Sequence, residues 1–299
     1  MTQPRLITPF TSMFGIDYPV VCAPMFLVSN VDLVAAACQA GVMAAFPAVN
    51  YRTHEEFANA VREIKARTDK PFGVNLVLKW NDRLAADMEL VLKEQVALII
   101  TSLGDPTGII QATRGTPTRV FSDVINQRHA TKVCQAGVDG LVAVAYGAGG
   151  HAGQISPFVL GPWLKKEFGL PVLAAGGIAD GRGLAAALAL GLDAAYMGTR
   201  FIATREAPAM EDYKQAIVES QPEDIEYTDR VSGILGNYIR KTLPQDLQAG
   251  ARAEGRWTQI WSAGQGVGLI DDVPSVKELV DRIVEEYEAA RTSLPALRP

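Results

Sequence analysis

Only three cysteines stand among the 299 residues, Cys22, Cys38 and Cys134, and none is spaced to pair with another. So sparse and odd a set excludes a disulfide framework and fits a reducing compartment. Basic surplus is also missing: 28 Lys and Arg stand against 33 Asp and Glu. That balance excludes general binding to a nucleic-acid phosphate backbone. Long apolar runs are absent too. The most apolar stretch, Gly183 to Gly198, spans 16 residues and contains Asp193, short of the roughly 20 that a membrane helix needs. Residues 1–14 hold one arginine and no apolar run of signal-peptide length. Histidine is scarce, with only His54, His129 and His151. Neither they nor the cysteines have metal-ligand spacing, so no metal is expected. The reading is a cytoplasmic protein with no nucleic-acid and no membrane partner.

What is present is a hydrophobic fraction of 48%, normal for a globular chain with a sizeable core. Short apolar runs alternate with helical stretches. They are Val20–Met25, Val42–Pro47, Phe72–Val77, Val96–Thr101, Arg119–Ser122, Gly140–Ala145, Val172–Ala175 and Ala194–Met197. Several are apolar on both faces, as strands of a buried parallel sheet must be. The helices between carry start and stop signals. Ser29 opens one with Asp32 three residues on, and Gly41 follows its end. Thr53 and Glu56 make a capping-box pattern. Ser156–Pro157 reads as cap then first helical residue, and Asp180 caps the run from Gly183. The stretch Leu103–Thr118 has little helical pattern, so its helix should be short.

Eight such runs close a (β/α)8 TIM barrel, an α/β fold. The competing open doubly wound sheet would put Gly-x-Gly-x-x-Gly after the first strand, where this chain has Cys22–Ala23–Pro24–Met25. The domain reading is a barrel over 1–206, then a polar, helical insertion over 207–256 beside the barrel mouth. Residues 257–299 return to the barrel and end in a C-terminal helix.

A barrel works at the C-terminal ends of its strands. There the runs are followed by Ala23–Pro24–Met25, by Asn75, by the loop Gly147 to Gly153, by Gly176–Gly177 and by Gly198–Thr199. The last two positions suit phosphate, because free N–H groups at a helix start bind anions. Two tight turns that need glycine are the alternative. The loop Gly147–Gly153 places four glycines around His151, a costly choice unless a flat ligand lies against the backbone. His151 is the candidate proton-transfer group. His54 reads as a solvated first-turn residue and His129 as surface. Asn75 either forms a turn or offers its amide to a ligand. Gln265, in the late loop Ser262–Gly268, either reaches a ligand or sits in a plain linker. Trp257, Trp261, Tyr146 and Tyr196 either wall a pocket or join the core. No nucleophile elbow and no P-loop occurs.

Six motifs in this order resemble the nitronate monooxygenases, formerly called 2-nitropropane dioxygenases. They are Ala-Pro-Met, Gly-Val-Asn, Ala-Gly-Gly-His-Ala-Gly, Ala-Gly-Gly-Ile-Ala-Asp, Met-Gly-Thr-Arg-Phe and Ala-Gly-Gln-Gly-Val-Gly, between about Ile16 and Asp271. The resemblance implies an FMN-binding TIM barrel. It implies that Ala23, Pro24, Met25 and Asn75 touch the flavin and that Gly150 lies against its ring. Gly176, Gly177, Gly198 and Thr199 would hold the FMN phosphate, and Gln265 would line the pocket. His151 matches the family's catalytic histidine. One departure stands out. Many members have a lysine after the fifth strand, where this chain reads Phe121–Ser122–Asp123–Val124. Enoyl-ACP reductase II relatives also lack it. Asp123 is expected to point away from the site or to be screened by Arg128 or another cation.

The leading expectation is FMN-dependent oxidation of nitronates or nitroalkanes by O2, with His151 as general base. The partners are then a small-molecule substrate and O2, and the apolar C-terminal part would tolerate a homodimer contact. The alternatives are an NAD(P)H-dependent reductase of a quinone or an enoyl thioester, a flavin-binding barrel without turnover, and a flavin-free isomerase or synthase.

Overall fold

The computed structural model describes residues 5–79, 81–244 and 259–293. From the N-terminus run α1 (Pro9–Phe14), β1 (Val20–Cys22), α2 (Val31–Gln39), β2 (Met43–Pro47), α3 (His54–Arg67), β3 (Gly73–Val77) and α4 (Leu84–Lys93). Next come β4 (Leu98–Ser102), α5 (Thr107–Thr113), β5 (Arg119–Val124), α6 (Gln127–Ala136), β6 (Gly140–Val144), the two-residue β7 (Gly150–His151) and α7 (Pro157–Phe168). The remainder is β8 (Val172–Ala175), α8 (Gly181–Ala189), β9 (Ala194–Met197), the single turn α9 (Thr199–Ile202), α10 (Glu211–Glu219), β10 (Ile225–Thr228), β11 (Gly236–Ile239) and α11 (Val276–Ser293).

All eight apolar runs become barrel strands. β1 to β6, β8 and β9 form a closed parallel sheet in chain order, sealed where Val20 to Cys22 of β1 pair with Ala195 to Met197 of β9. The capping signals act as expected at Thr53, Ser156 and Asp180. α5 is short, at seven residues. Ser29 is a correction. The cap of α2 is Asn30, whose side chain accepts from Leu33 N–H. Ser29 turns instead to Ala23 and Met25.

Side chains alternate along each strand between the barrel interior and the helix layer. The interior set includes Val21, Met43, Ala45, Leu98, Ile100, Phe121, Val142, Leu173 and Ala194. Helix α1 plugs the N-terminal end, with Phe10 fully buried and its ring 5.8 Å from that of Phe121. Gly140 leaves room for Phe121, since a Cβ there would lie 2.4 Å from its ring. The helix-facing residues, among them Val74, Ile99, Val120, Leu141 and Ala195, join the larger outer core. A hydrophobic plug at one end leaves the other end to polar residues.

After β9 the chain forms helix α10 and also a hairpin that the sequence reading does not foresee. β10 pairs antiparallel with β11, and β11 pairs with β7. The junction near residue 256, and Trp257 with it, lies outside the described residues. Among the described residues no helix is long and apolar enough to cross a membrane.

Candidate active site

Four loops meet at the C-terminal mouth. The loop after β1 is stapled from beneath. Ser29 Oγ accepts Met25 N–H at 2.9 Å, and the Asn50 amide donates to the carbonyls of Met25 and Ser29. Pro24 and Met25 are held half-buried there, and Phe26 and Leu27 stay exposed. Leu27 sits at φ 59°, a strained value for a leucine, with its N–H donated to Asn50. Gly198, at the end of β9, faces Met25: a Cβ there would be 3.6 Å from its sulfur and 3.8 Å from Ala23 Cβ.

The turn after β8 carries Gly176 at φ 121° and Gly177 at φ 72°. Gly176 needs its missing side chain, because a Cβ would press on Tyr146 and Ala145 carbonyls at 3.1 and 3.3 Å. At Gly177 the space is open. In the α8 cap, Gly183 N–H is taken by Asp180 and Gly181 N–H by Glu286. The N–H groups of Gly177 and Ile178 find no acceptor among the described residues. Next to this turn, Thr199 Oγ1 accepts Gly264 N–H at 2.9 Å, so its own O–H is left to donate. The late glycine loop closes the same wall: Gln265 N–H donates to Gly147 carbonyl, and a Cβ on Gly266 would lie 3.6 Å from the Gly177 carbonyl carbon.

The loop after β6 is bound on its far side by the hairpin. Gly236 and Asn237 pair with His151 and Gly150. Asn237 donates to Ala148 carbonyl at 2.7 Å, and its Oδ1 stays buried without a partner. Tyr227 O–H donates to Ala152 carbonyl, and the Tyr227 ring meets Tyr146 edge-on at 5.6 Å. Gly150, at φ 70°, has nothing within 4 Å of where a Cβ would stand. His151 opens to the mouth, with Nε2 2.8 Å from Ser232 Oγ. Loss of water around the ring pushes its pKa below the usual histidine value. A lowered pKa keeps the imidazole neutral at pH 7, able to accept a proton.

The floor of the mouth is a polar chain. Asn75 Nδ2 donates to Ile100 carbonyl at 3.0 Å and to Ser102 Oγ at 2.7 Å. Ser102 Oγ lies 2.5 Å from Asp123 Oδ2. Asp123 corrects the sequence reading. It points into the barrel, on the interior face shared with Phe121, and no cation among the described residues pairs with it. Its Oδ1 is shut away from solvent with no partner. Burial lifts the carboxyl to about 6, and the Ser102 hydrogen bond only partly offsets that. Tyr196 faces the same space; burial holds its phenol neutral, and Asp123 adds to the effect.

The other histidines lie away from the mouth. His129 is exposed on α6. His54 is not merely solvated: its Nδ1 is 3.0 Å from Oδ1 of the fully buried Asp87, which ties α3 to α4. Trp261 stacks on Tyr213 at 5.1 Å.

The structure thus gathers Ala23, Met25 and Gly198 on one side and Gly176, Gly177, Thr199 and Gln265 on another. Gly150 and His151 stand beyond, and Asn75 lies beneath. Ser232, Tyr227 and Asn237 have no counterpart in the sequence reading. Ser102 follows the fourth apolar run at the active end of the barrel, where the sequence places it beside Thr101 without a role. The other three come from the hairpin and carry no motif. Open glycines beside the Gly177 and Ile178 N–H groups, which have no acceptor among the described residues, fit a flat ligand with an anionic tail.

The family model for nitronate monooxygenase matches residues 8–87 and 81–245. The chain belongs to the nitronate monooxygenase family. Among its relatives, the (3aS,4S,5R,7aS)-5-hydroxy-7a-methyl-1-oxo-octahydro-1H-indene-4-carboxyl-CoA dehydrogenase of Mycobacterium tuberculosis is 30% identical over 94% of this chain and 96% of its own. A nitronate monooxygenase of Paraburkholderia phytofirmans is 30% identical over 96% of both chains. The structure of FabK from Thermotoga maritima superposes with a TM-score of 0.86 at 29% identity, covering 96% of this chain and 98% of that one. The family's members are flavin enzymes, and this member of it is a flavin oxidoreductase.

Proposed function

We propose that the protein binds FMN in this mouth and oxidises nitronates and nitroalkanes with O2, His151 acting as general base. The observation that carries the reading is the placement of His151: an exposed imidazole steadied by Ser232, on a strand whose neighbour Gly150 leaves room for a flat ring. Gly176, Gly177, Gly198 and Thr199 would hold the phosphate, with Gly177 and Ile178 N–H groups free to donate. Ala23, Pro24, Met25 and Asn75 would border the ring, and Gln265 would close the wall. The cofactor supplies the electron acceptor. The protein's task is to orient the substrate, exclude water and take one proton.

The carbon beside a nitro group is acidic, so a positioned base converts a neutral nitroalkane into its nitronate. His151→Ala is expected to lower turnover of neutral nitroalkane by about 100-fold or more and of preformed nitronate far less. Equal losses on the two substrates would remove the base assignment. The acid limb of the wild-type nitroalkane profile should lie below about 6.5, because burial lowers the His151 pKa.

A second reading is favoured by the rim. Phe26, Leu27, Tyr146 and Leu235 are all exposed large apolar side chains on loops of the active end. They suit an extended acyl thioester, in keeping with the CoA substrate named for the mycobacterial relative and with an NAD(P)H-dependent reductase. An anaerobic absorbance titration separates the readings. Bleaching of the flavin bands by ethylnitronate and not by NADH supports the oxidase. Bleaching by NADH alone supports the reductase.

A further inference from the structure

Of the site residues above, Asn75 alone belongs to the floor of the mouth. The floor holds a carboxyl without a cation, joined through one serine to one asparagine. Hydrogen-bond capacity limits what this chain can do. A serine hydroxyl has one proton to donate and two lone pairs to accept with. Asn75 Nδ2, 2.7 Å away, occupies one lone pair of Ser102 Oγ. The remaining arrangement depends on Asp123, 2.5 Å away on the other side.

When Asp123 is ionised it can only accept. Ser102 then must turn its O–H onto Asp123 Oδ2, and Ser102 offers no donor to the mouth. When Asp123 is neutral, its own O–H donates to the second lone pair of Ser102. The Ser102 hydrogen is then released. Ser102 is partly open to the mouth, so the freed O–H faces whatever is bound there. One proton on the carboxyl therefore reverses the hydroxyl above it.

We infer that Asn75, Ser102 and Asp123 form a proton-operated donor switch, in which neutral Asp123 turns the Ser102 hydroxyl toward an acceptor of bound flavin, so that flavin binding draws a proton onto Asp123. This rests on the proposal that FMN occupies the mouth. The surroundings favour the neutral form. No water or partner reaches Asp123 Oδ1, and an orphaned buried carboxylate oxygen is costly. The carboxyl titrates at about 6 through burial. On the facing elements, β3 offers neutral Asn75, β4 offers Ser102 and β9 offers the Tyr196 phenol, kept neutral by its own burial. None supplies a positive charge that would hold Asp123 ionised.

The direction of the linkage follows. A ligand that needs the neutral carboxyl binds best below the pKa of the free protein and loses affinity above it. The loss approaches tenfold per pH unit above that pKa, or up to about 50-fold from pH 6 to pH 8. The experiment is titration of FMN into flavin-stripped protein, read by flavin fluorescence from pH 5 to pH 8. Calorimetry at pH 7 in two buffers of different ionisation enthalpy measures proton uptake. The wild-type chain should show the falling affinity and a net uptake. In Asp123→Asn the amide N–H donates permanently to Ser102 Oγ, which copies the neutral state. That variant should bind FMN more tightly than wild type at pH 8, by up to about 100-fold, with the Asp123 share of the proton uptake gone. Ser102→Ala lacks the switched group and should bind weakly at every pH without the Asp123 slope. Titration of His151 and of the FMN phosphate is common to all three proteins and cancels in the comparison. The inference is overturned if Asp123→Asn follows the wild-type pH dependence, or if it binds more weakly than wild type throughout. Failure of the wild-type chain to bind FMN at any pH overturns the flavin reading itself, and the switch with it.

Discussion

Asp123 is one carboxyl whose chemistry is set by where a strand places it. The sequence offers an acidic residue at the end of an apolar run. Only the inward parity shared with Phe121, and the missing cation, make it a group that titrates at about 6. The stability consequence follows from the proton count. An unfolded aspartate titrates near 3.9, so between about pH 4 and pH 6 the folded flavin-free protein holds the extra proton. Stability then falls as pH rises through that window and levels off above it. Asp123→Asn removes the ionisable group. Its stability relative to wild type should improve by about 1 kcal/mol between pH 5 and pH 8, measured by urea unfolding of the flavin-free proteins. A gap that stays constant over that range would show that Asp123 is not titrating in the fold. His151 teaches the same lesson from the other side. Its glycine setting marked it in the sequence, but Ser232, 81 positions away, steadies it.

At the scale of elements, the strands and their caps were legible because they are local. Buried parallel strands read as apolar runs, and Thr53–Glu56, Ser156–Pro157 and Asp180 satisfy helix starts with side chains a few positions away. Ser29 was misjudged by one position because Asn30 competes for the same role and Ser29 has a tertiary partner in Met25. The β10–β11 hairpin was not legible: it is short, and its value lies in pairing with β7 rather than in its own pattern. That pairing yields a prediction. A Cβ on Gly236 would sit 2.8 Å from Gly150 carbonyl oxygen and 3.2 Å from His151 N. Gly236→Ala should therefore push β11 off β7, displace His151 and cost about 100-fold in turnover. The check is steady-state kinetics beside thermal unfolding. Turnover unchanged with the fold intact would show that the hairpin does not position His151.

On the scale of the whole molecule, the barrel separates stability from function along its axis. The N-terminal end is filled by Phe10, Phe14 and Phe121, and the C-terminal end keeps Asn75, Ser102, Asp123 and Tyr196. Ligand binding at that end should stabilise the entire fold by mass action, by about 2.7 kcal/mol when free FMN is 100 times its Kd. Riboflavin, which lacks the phosphate, should stabilise much less at equal concentration, because the unpaired N–H groups of Gly177 and Ile178 gain no anion. Thermal unfolding with each ligand is the test, and equal shifts would withdraw the phosphate from the turn before α8.

The sequence by itself determined the barrel, its eight strands, most helix starts, the glycine positions of the mouth and the single histidine within it. These follow from periodicity, local hydrogen bonding and backbone freedom, which act over a few residues. Tertiary structure decided which way Asp123 points, what Ser102 can donate to, which strand holds His151 in place and why His54 pairs with a buried carboxylate. Those depend on strand parity around a closed sheet and on contacts between residues 20 to 90 positions apart. No local pattern encodes a partner at that separation, because the free energy that selects it comes from burial and pairing once the barrel has closed.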